Sequence, residues 1–148
     1  MSRADKAKQY FLDGYNCAQA VVMAFADDIG LDLTTAQRIS APFGGGIGRM
    51  REVCGAVSGM AMVEGMMRDA YEPKNTTEKV AQYKLVQELA NEYKAENGSI
   101  VCRELLGLDR DGNKTEPTPS ERTEQYYHKR PCAELVYQAA EILERKFF

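Results

Sequence analysis

The sequence predicts an all-α fold: a single-domain bundle of six to seven helices spanning residues 1–148. Three observations carry that expectation. Apolar residues recur at three- and four-residue spacing along almost the whole chain, the period of a helix with one buried face. Stretches that alternate with period two, as half-buried strands would, are scarce. Capping residues also stand where the helical periodicity stops and restarts.

Taken in order, residues 2–12 form a first helix, with Ser2 and Asp5 in capping-box spacing and Gly14 closing it. Asn16 caps a second helix over 17–28, whose apolar face carries Ala20, Val21, Ala24 and Phe25, and Gly30 stops it. Thr34 or Thr35 caps a short helix to about Ser40. The stretch 41–65 follows and holds seven of the twelve glycines. Its first part, with Pro42, Gly44, Gly45, Gly46 and Gly48, favours turns and open backbone. Its second part belongs to a small-residue central helix over 50–70.

Pro73 separates that helix from the next. Asn75 with Glu78 opens a long amphipathic helix over 76–96, ended by Asn97 and Gly98, with Val80, Tyr83, Leu85, Val86, Leu89, Ala90 and Tyr93 as its buried side. A shorter helix over 100–106 follows Ser99. Residues 109–120, rich in Gly, Asn, Pro and charge, form the one extended loop. A weak helix covers 120–128. Pro131 opens a last helix over 131–146, with Leu135, Val136, Ala139, Ile142 and Leu143 on one stripe.

Composition narrows the function classes. With 148 residues the chain can bury a core without disulfides or metal. A formal charge of −3 leaves no basic footprint for nucleic acid. The longest apolar run, 53–67, contains Glu64 and falls short of the roughly 20 residues a spanning helix needs. The first residues carry no apolar stretch of the kind a secretory signal requires, so the expected location is the cytoplasm. There cysteines are normally reduced, and those kept for chemistry tend to be catalytic, redox-active or metal-binding.

The four cysteines, Cys17, Cys54, Cys102 and Cys132, are separated by 37, 48 and 30 residues, with no Cys-x-x-Cys pair. That spacing matches neither zinc fingers and ribbons nor the bacterial ferredoxin run. On the expected helices, however, all four fall at or near a helix N-terminus, where unpaired N–H groups and the macrodipole favour a thiolate. Arg49, Arg51, Arg103, Lys129 and Arg130 lie close to them in sequence. Such an environment suits a nucleophilic thiolate, a reversible disulfide or a metal–thiolate cluster. Cys17, Cys54, Cys102 and Cys132 are therefore the candidate catalytic and metal-ligating residues. Their inert alternative is packing, since free cysteine is also a small buried hydrophobe.

Gly55 and Gly59 stand one turn apart on the Cys54 helix and let either a cofactor or a second helix come close. The group Met60, Met62, Met66 and Met67 reads as core filler. The glycines at 44–48 lack the following Gly-Lys-Ser/Thr of a phosphate loop and the preceding strand of a dinucleotide site. The single histidine, His128, reads as a surface residue, and Glu64 has no partner visible in the sequence.

Gly14-Tyr15-Asn16-Cys17-Ala18, the glycine-rich turn into Cys54-Gly55-Ala56-Val57-Ser58-Gly59, and the later single Cys102 and Cys132 carry a resemblance. In these features, over nearly its whole length, the chain resembles the bacterial and archaeal redox-active proteins labelled C_GCAxxG_C_C. Here Val53 precedes Cys54 and Gly55 follows it, so the central motif reads Cys-Gly-Ala-x-x-Gly. The resemblance implies redox activity assigned through the cysteines, and a genomic neighbourhood of transporters. It also implies a relation to the C-terminal part of split-Soret cytochromes, which favours an iron–sulfur cluster. Covalent c-type haem is not expected, because no Cys-x-x-Cys-His is present.

The leading expectation is thus thiol-based electron transfer, by an iron–sulfur cluster or by dithiol/disulfide cycling, in an oxidoreductase or electron-transfer accessory protein. Two other classes stay open: a zinc or copper(I) thiolate module, and a structural partner-binding bundle with inert cysteines. A homodimer is a further expectation, since a surface helix with spare apolar residues can be covered by its own copy. The redox partner is unknown.

Overall fold

A computed structural model describes residues 1–107, 117–124, 126 and 131–148. Among them the chain is all-α, with helices α1 (Arg3–Leu12), α2 (Cys17–Ala24), α3 (Leu33–Ser40), α4 (Gly55–Met67), α5 (Thr76–Asn97), α6 (Cys102–Leu105) and α7 (Cys132–Phe147). A 3-10 turn, Ala41–Phe43, leads out of α3. The expected loop over 109–120 falls largely outside the described residues, as does part of the weak helix over 120–128, His128 included. No described helix is long and apolar enough to cross a membrane.

The core is built from small residues and a few aromatics. α2 is apolar all round and buries Ala18 and Ala20 to Ala24, as a helix at the centre of a bundle should. α1, α3, α4 and α7 all pack against it. Helix α1 turns Ala4, Ala7 and Phe11 inward, and α7 answers with Leu135, Val136, Ala139, Ile142 and Leu143. The capping box of Ser2 and Asp5 is formed, as is the left-handed stop of α5 at Gly98, with φ 88°.

Several boundaries differ from those the sequence suggests. Helix α2 stops at Ala24 rather than 28, because hydrogen bonds tighten to Phe25 N→Val22 O and Ala26 N→Met23 O and the chain turns Phe25 and Ile29 into the core. Asp32, not Thr34 or Thr35, caps α3: its carboxylate accepts from Thr35 N at 2.7 Å and from Thr35 Oγ1 at 2.9 Å. A carboxylate is the stronger acceptor, so the threonine serves as donor. Helix α4 begins only at Gly55, because the preceding residues are held by a long-range pairing. Val53 bridges Val101 antiparallel, with Cys54 N→Ile100 O at 2.8 Å and Cys102 N→Glu52 O at 2.6 Å.

Helix α5 departs most in burial. Only Leu89 and Tyr93 are fully buried, and Val80 and Tyr83 are exposed. Among the described residues the helix leans chiefly on α4 and α7, and its early turns stay largely exposed. Its tie to α4 is polar: buried Glu64 accepts from Gln82 Nε2 at 2.8 Å and from Arg68 Nε at 3.4 Å. Those are the partners of Glu64 that the sequence hid.

Candidate functional site: four cysteines around one cavity

Each cysteine sits within one residue of a helix start. Cys17 is the first residue of α2, behind a reciprocal cap in which Asn16 Oδ1 accepts from Gln19 N at 2.9 Å and Asn16 N donates to Gln19 Oε1 at 3.0 Å. Cys54 is the N-cap of α4, Cys102 opens α6 and Cys132 opens α7. These four helix starts meet. All four cysteines line one cavity of about 80 Å³, together with Gly46, Gly55, Arg51 and Phe11. Within it Cys132 is the neighbour that acts most strongly on the Cys17 thiol.

The glycine-rich stretch builds one wall in an uncommon way. Gly45 to Arg49 all have positive φ, between 51° and 74°, and Arg51 follows at 63°. Ile47, Arg49 and Arg51 carry side chains there, at a cost of about 1–2 kcal/mol each. Wide hydrogen bonds hold this left-handed turn, among them Arg51 N→Gly45 O at 3.1 Å and Glu52 N→Gly46 O at 2.9 Å. Gly46 is pressed into the site: a Cβ there would lie 2.8 Å from Cys102 Cβ and 2.6 Å from Glu52 N.

Gly55 lines the cavity as well, where an added Cβ would meet Ala18 N at 3.0 Å and Cys17 Cβ at 3.2 Å. At Gly59 an added Cβ would lie 2.9 Å from Val21 Cβ. Both glycines thus let α2 and α4 approach, and this contact sets Cys17 beside Cys54.

The expectation that helix starts lower the thiol pKa is overturned at two cysteines. The neighbouring Cys132 thiol raises the Cys17 pKa well above its ordinary value, with burial and the other cysteines adding to it. Burial pushes Cys54 up from 9.0 to about 11, against the opposing pull of the Tyr93 phenol and the Ala56 N–H. The helix-start amide therefore acts in the expected direction, but loss of water outweighs it. Cys54 Sγ and Tyr93 Oη lie 3.3 Å apart, and burial with the Cys54 charge raises the phenol, which stays protonated and able to donate. Arg51, only 4% exposed, donates from Nη1 to Cys102 Sγ at 3.7 Å.

The raised Cys54 pKa has a stability consequence. The unfolded chain gives up this thiol proton near pH 9, the folded chain only near 11, so the stabilisation is complete below pH 9 and lost as pH rises through 11. Urea unfolding of the reduced, metal-free protein should show about 2 kcal/mol less stability at pH 10.5 than at pH 7.5 from this residue, a loss that shrinks in Cys54→Ala.

Of the other residues the sequence singled out, Arg103 pairs with Glu52 at 2.8 Å and Arg49 lines an outer cleft. Lys129 and Arg130 lie outside the described residues. Nothing in the sequence marks Tyr93, Phe11 or Arg122 as site residues. Tyr93 reads in sequence only as part of an apolar stripe, and no spacing signal joins Arg122 to the cysteines. Among the described residues, no group of three or more His, Cys, Asp or Glu is arranged to hold a metal ion.

An all-α bundle that gathers four single cysteines from four helix starts defines a four-cysteine helical protein. The family model described as "Putative redox-active protein (C_GCAxxG_C_C)" matches residues 15–146, and the chain belongs to that family. No curated protein and no solved structure matches it.

Proposed function

We propose that Cys17, Cys54, Cys102 and Cys132 act as one thiol-based redox centre, and that its resident group is an iron–sulfur cluster. The observation that supports this most is the convergence of all four cysteines on one cavity. An all-thiolate donor set is the soft set such clusters use. A polynuclear cluster also holds its thiolates farther apart than one metal ion does, because irons and sulfides lie between them. Gly46 and Gly55 suit such a site because neither fills the cavity with a side chain.

When bound, the cluster would supply a one-electron couple. The chain's own part is to hold and tune it. The four cysteines would ligate as thiolates, and positive charge close by would offset the burial that otherwise keeps Cys17 and Cys54 protonated. Arg51 on Cys102 and Tyr93 on Cys54 would each place a donor on a ligand sulfur, which shifts the reduction potential.

A second reading has its own observation: Cys17 and Cys132 line the same cavity, and Cys132 acts most strongly on the Cys17 thiol. In that form half-buried Cys17 attacks a partner disulfide once its thiol proton has passed to solvent, forming a mixed disulfide as the partner's other sulfur leaves as a thiolate. Cys132 then displaces the partner, which leaves as the dithiol, and a Cys17–Cys132 disulfide remains.

Anaerobic purification separates these readings. Iron and acid-labile sulfide in stoichiometric amounts are expected, with charge-transfer absorption lost in each Cys→Ser variant. A colourless, iron-free protein that forms a Cys17–Cys132 disulfide supports the second reading instead. Stoichiometric zinc or copper without iron makes the chain a metal-binding module. Unreactive thiols, with stability and cellular role kept in the quadruple Cys→Ala variant, make it a structural bundle.

A further inference from the structure

We infer that the cleft outside the thiol cavity is an anion-binding vestibule, built to bring a small molecule carrying an oxyanion group to the cysteines. The inner cavity and this outer cleft of about 390 Å³ share Asn16, Gly45, Arg51, Arg122 and Tyr126 in their walls, so the cleft is an approach to the thiols. Arg49 joins Arg51 and Arg122 in lining it, and no carboxylate is present among its described lining residues. Three guanidiniums on one cleft are notable in a chain whose net charge is −3. A concave site lined by one sign of charge, with low-dielectric walls, concentrates ions of the opposite sign.

Arg122 is the fixed point of the site. It donates from Nη1 to the Phe11 carbonyl and from Nη2 to the Tyr15 carbonyl at 2.8 Å, and its guanidinium lies 4.3 Å from the centre of the Phe11 ring. These partners are neutral, so they orient the side chain without balancing its charge. Arg49 and Arg51 are presented by the left-handed turn, whose positive φ at both residues costs the fold stability. Guanidinium planes are suited to carboxylate, phosphate and similar oxyanions, which they bind in a bidentate manner. The proposal adds a ligand class to the redox reading, which matters here only for what the anion would be delivered to.

The competing account is that the arginines serve only the cysteine thiolates, as Arg51 on Cys102 suggests. A matched pair of thiol reagents decides. Iodoacetate and iodoacetamide react by the same displacement and differ in one negative charge. With the reduced, metal-free chain, the iodoacetate-to-iodoacetamide rate ratio at the cavity cysteines, read by mass spectrometry, should exceed that of glutathione by about tenfold. Added salt should lower this excess. Arg122→Gln should bring the ratio toward that of glutathione, and Arg122→Lys should retain part of it. Arg49→Gln repeats the test at a residue that does not line the thiol cavity.

A second readout needs no free thiol. In the protein as purified, amide NMR shifts over residues 44–51 should saturate with inorganic phosphate at constant ionic strength, and Arg122→Gln should weaken that binding about tenfold. A ratio equal to that of glutathione, or an equal slowing of both reagents in Arg122→Gln, overturns the inference. So do phosphate shifts that do not saturate at this turn. The phosphate readout is independent of thiol chemistry, so saturable binding there with inert cysteines would remove the redox reading alone.

Discussion

Gly46→Ala should destabilise the chain by about 2–5 kcal/mol, by adding left-handed strain to a clash. The residue has φ 74°, and its new Cβ would lie 2.6 Å from Glu52 N, 2.8 Å from Arg51 Cα and 2.8 Å from Cys102 Cβ. Two of those three atoms are backbone and cannot swing away. The strand-like pairing of 52–54 with 100–102 must then shift, and with it the relative placement of Cys54 and Cys102. Denaturant unfolding measures the first effect, and iron content or thiol reactivity the second. Gly48→Ala is the control. Its φ is 51° but nothing lies within 4 Å of the added Cβ, so only the strain of about 1–2 kcal/mol should remain.

Phe11→Ala should cost about 3–5 kcal/mol, a large share of the roughly 5–15 kcal/mol that holds a domain folded. Phe11 is 2% exposed, ends the buried stripe of α1 and carries the Arg122 guanidinium on its ring. It also forms part of the thiol cavity wall, so truncation enlarges that cavity and removes the ring beneath Arg122. Thermal unfolding should register the loss, and Cys17 should alkylate faster in the variant. Val80→Ser makes the contrast: at 59% exposure on α5 it should change stability by no more than about 0.5 kcal/mol. The same substitution would be severe if Val80 were buried, as its place in the apolar stripe suggests.

That contrast marks where sequence reasoning stopped. The period of Val80, Tyr83, Leu89 and Tyr93 shows that α5 is a helix with an apolar side, but not how much of that side finds a partner. Burial of Leu89 and Tyr93 alone follows from where α4 and α7 end up. The start of α4 was misplaced for a similar reason. Residues 50–54 lead straight into the apolar helix in sequence, yet Cys54 N bonds to Ile100 O and Glu52 O accepts from Cys102 N, nearly fifty positions away. The caps at Ser2, Asn16 and Asn75, with donor and acceptor three residues apart, are legible in the sequence, whereas Asp32, with the same spacing to Thr35, is masked by the two threonines that follow it.

Sequence alone therefore determined the all-α class, the main helices and the placing of every cysteine at or near a helix start. Each depends on periodicity or on capping bonds within one turn of chain, and such interactions are written locally. Only the tertiary structure decided that the four helix starts share a cavity, that Cys132 bears on the Cys17 thiol, and that Tyr93 and Arg51 stand on Cys54 and Cys102. It also reversed the expected thiol acidity at Cys17 and Cys54. A helix-start amide is a local feature, but the loss of water that outweighs it arises only when separate helices close over the sulfur.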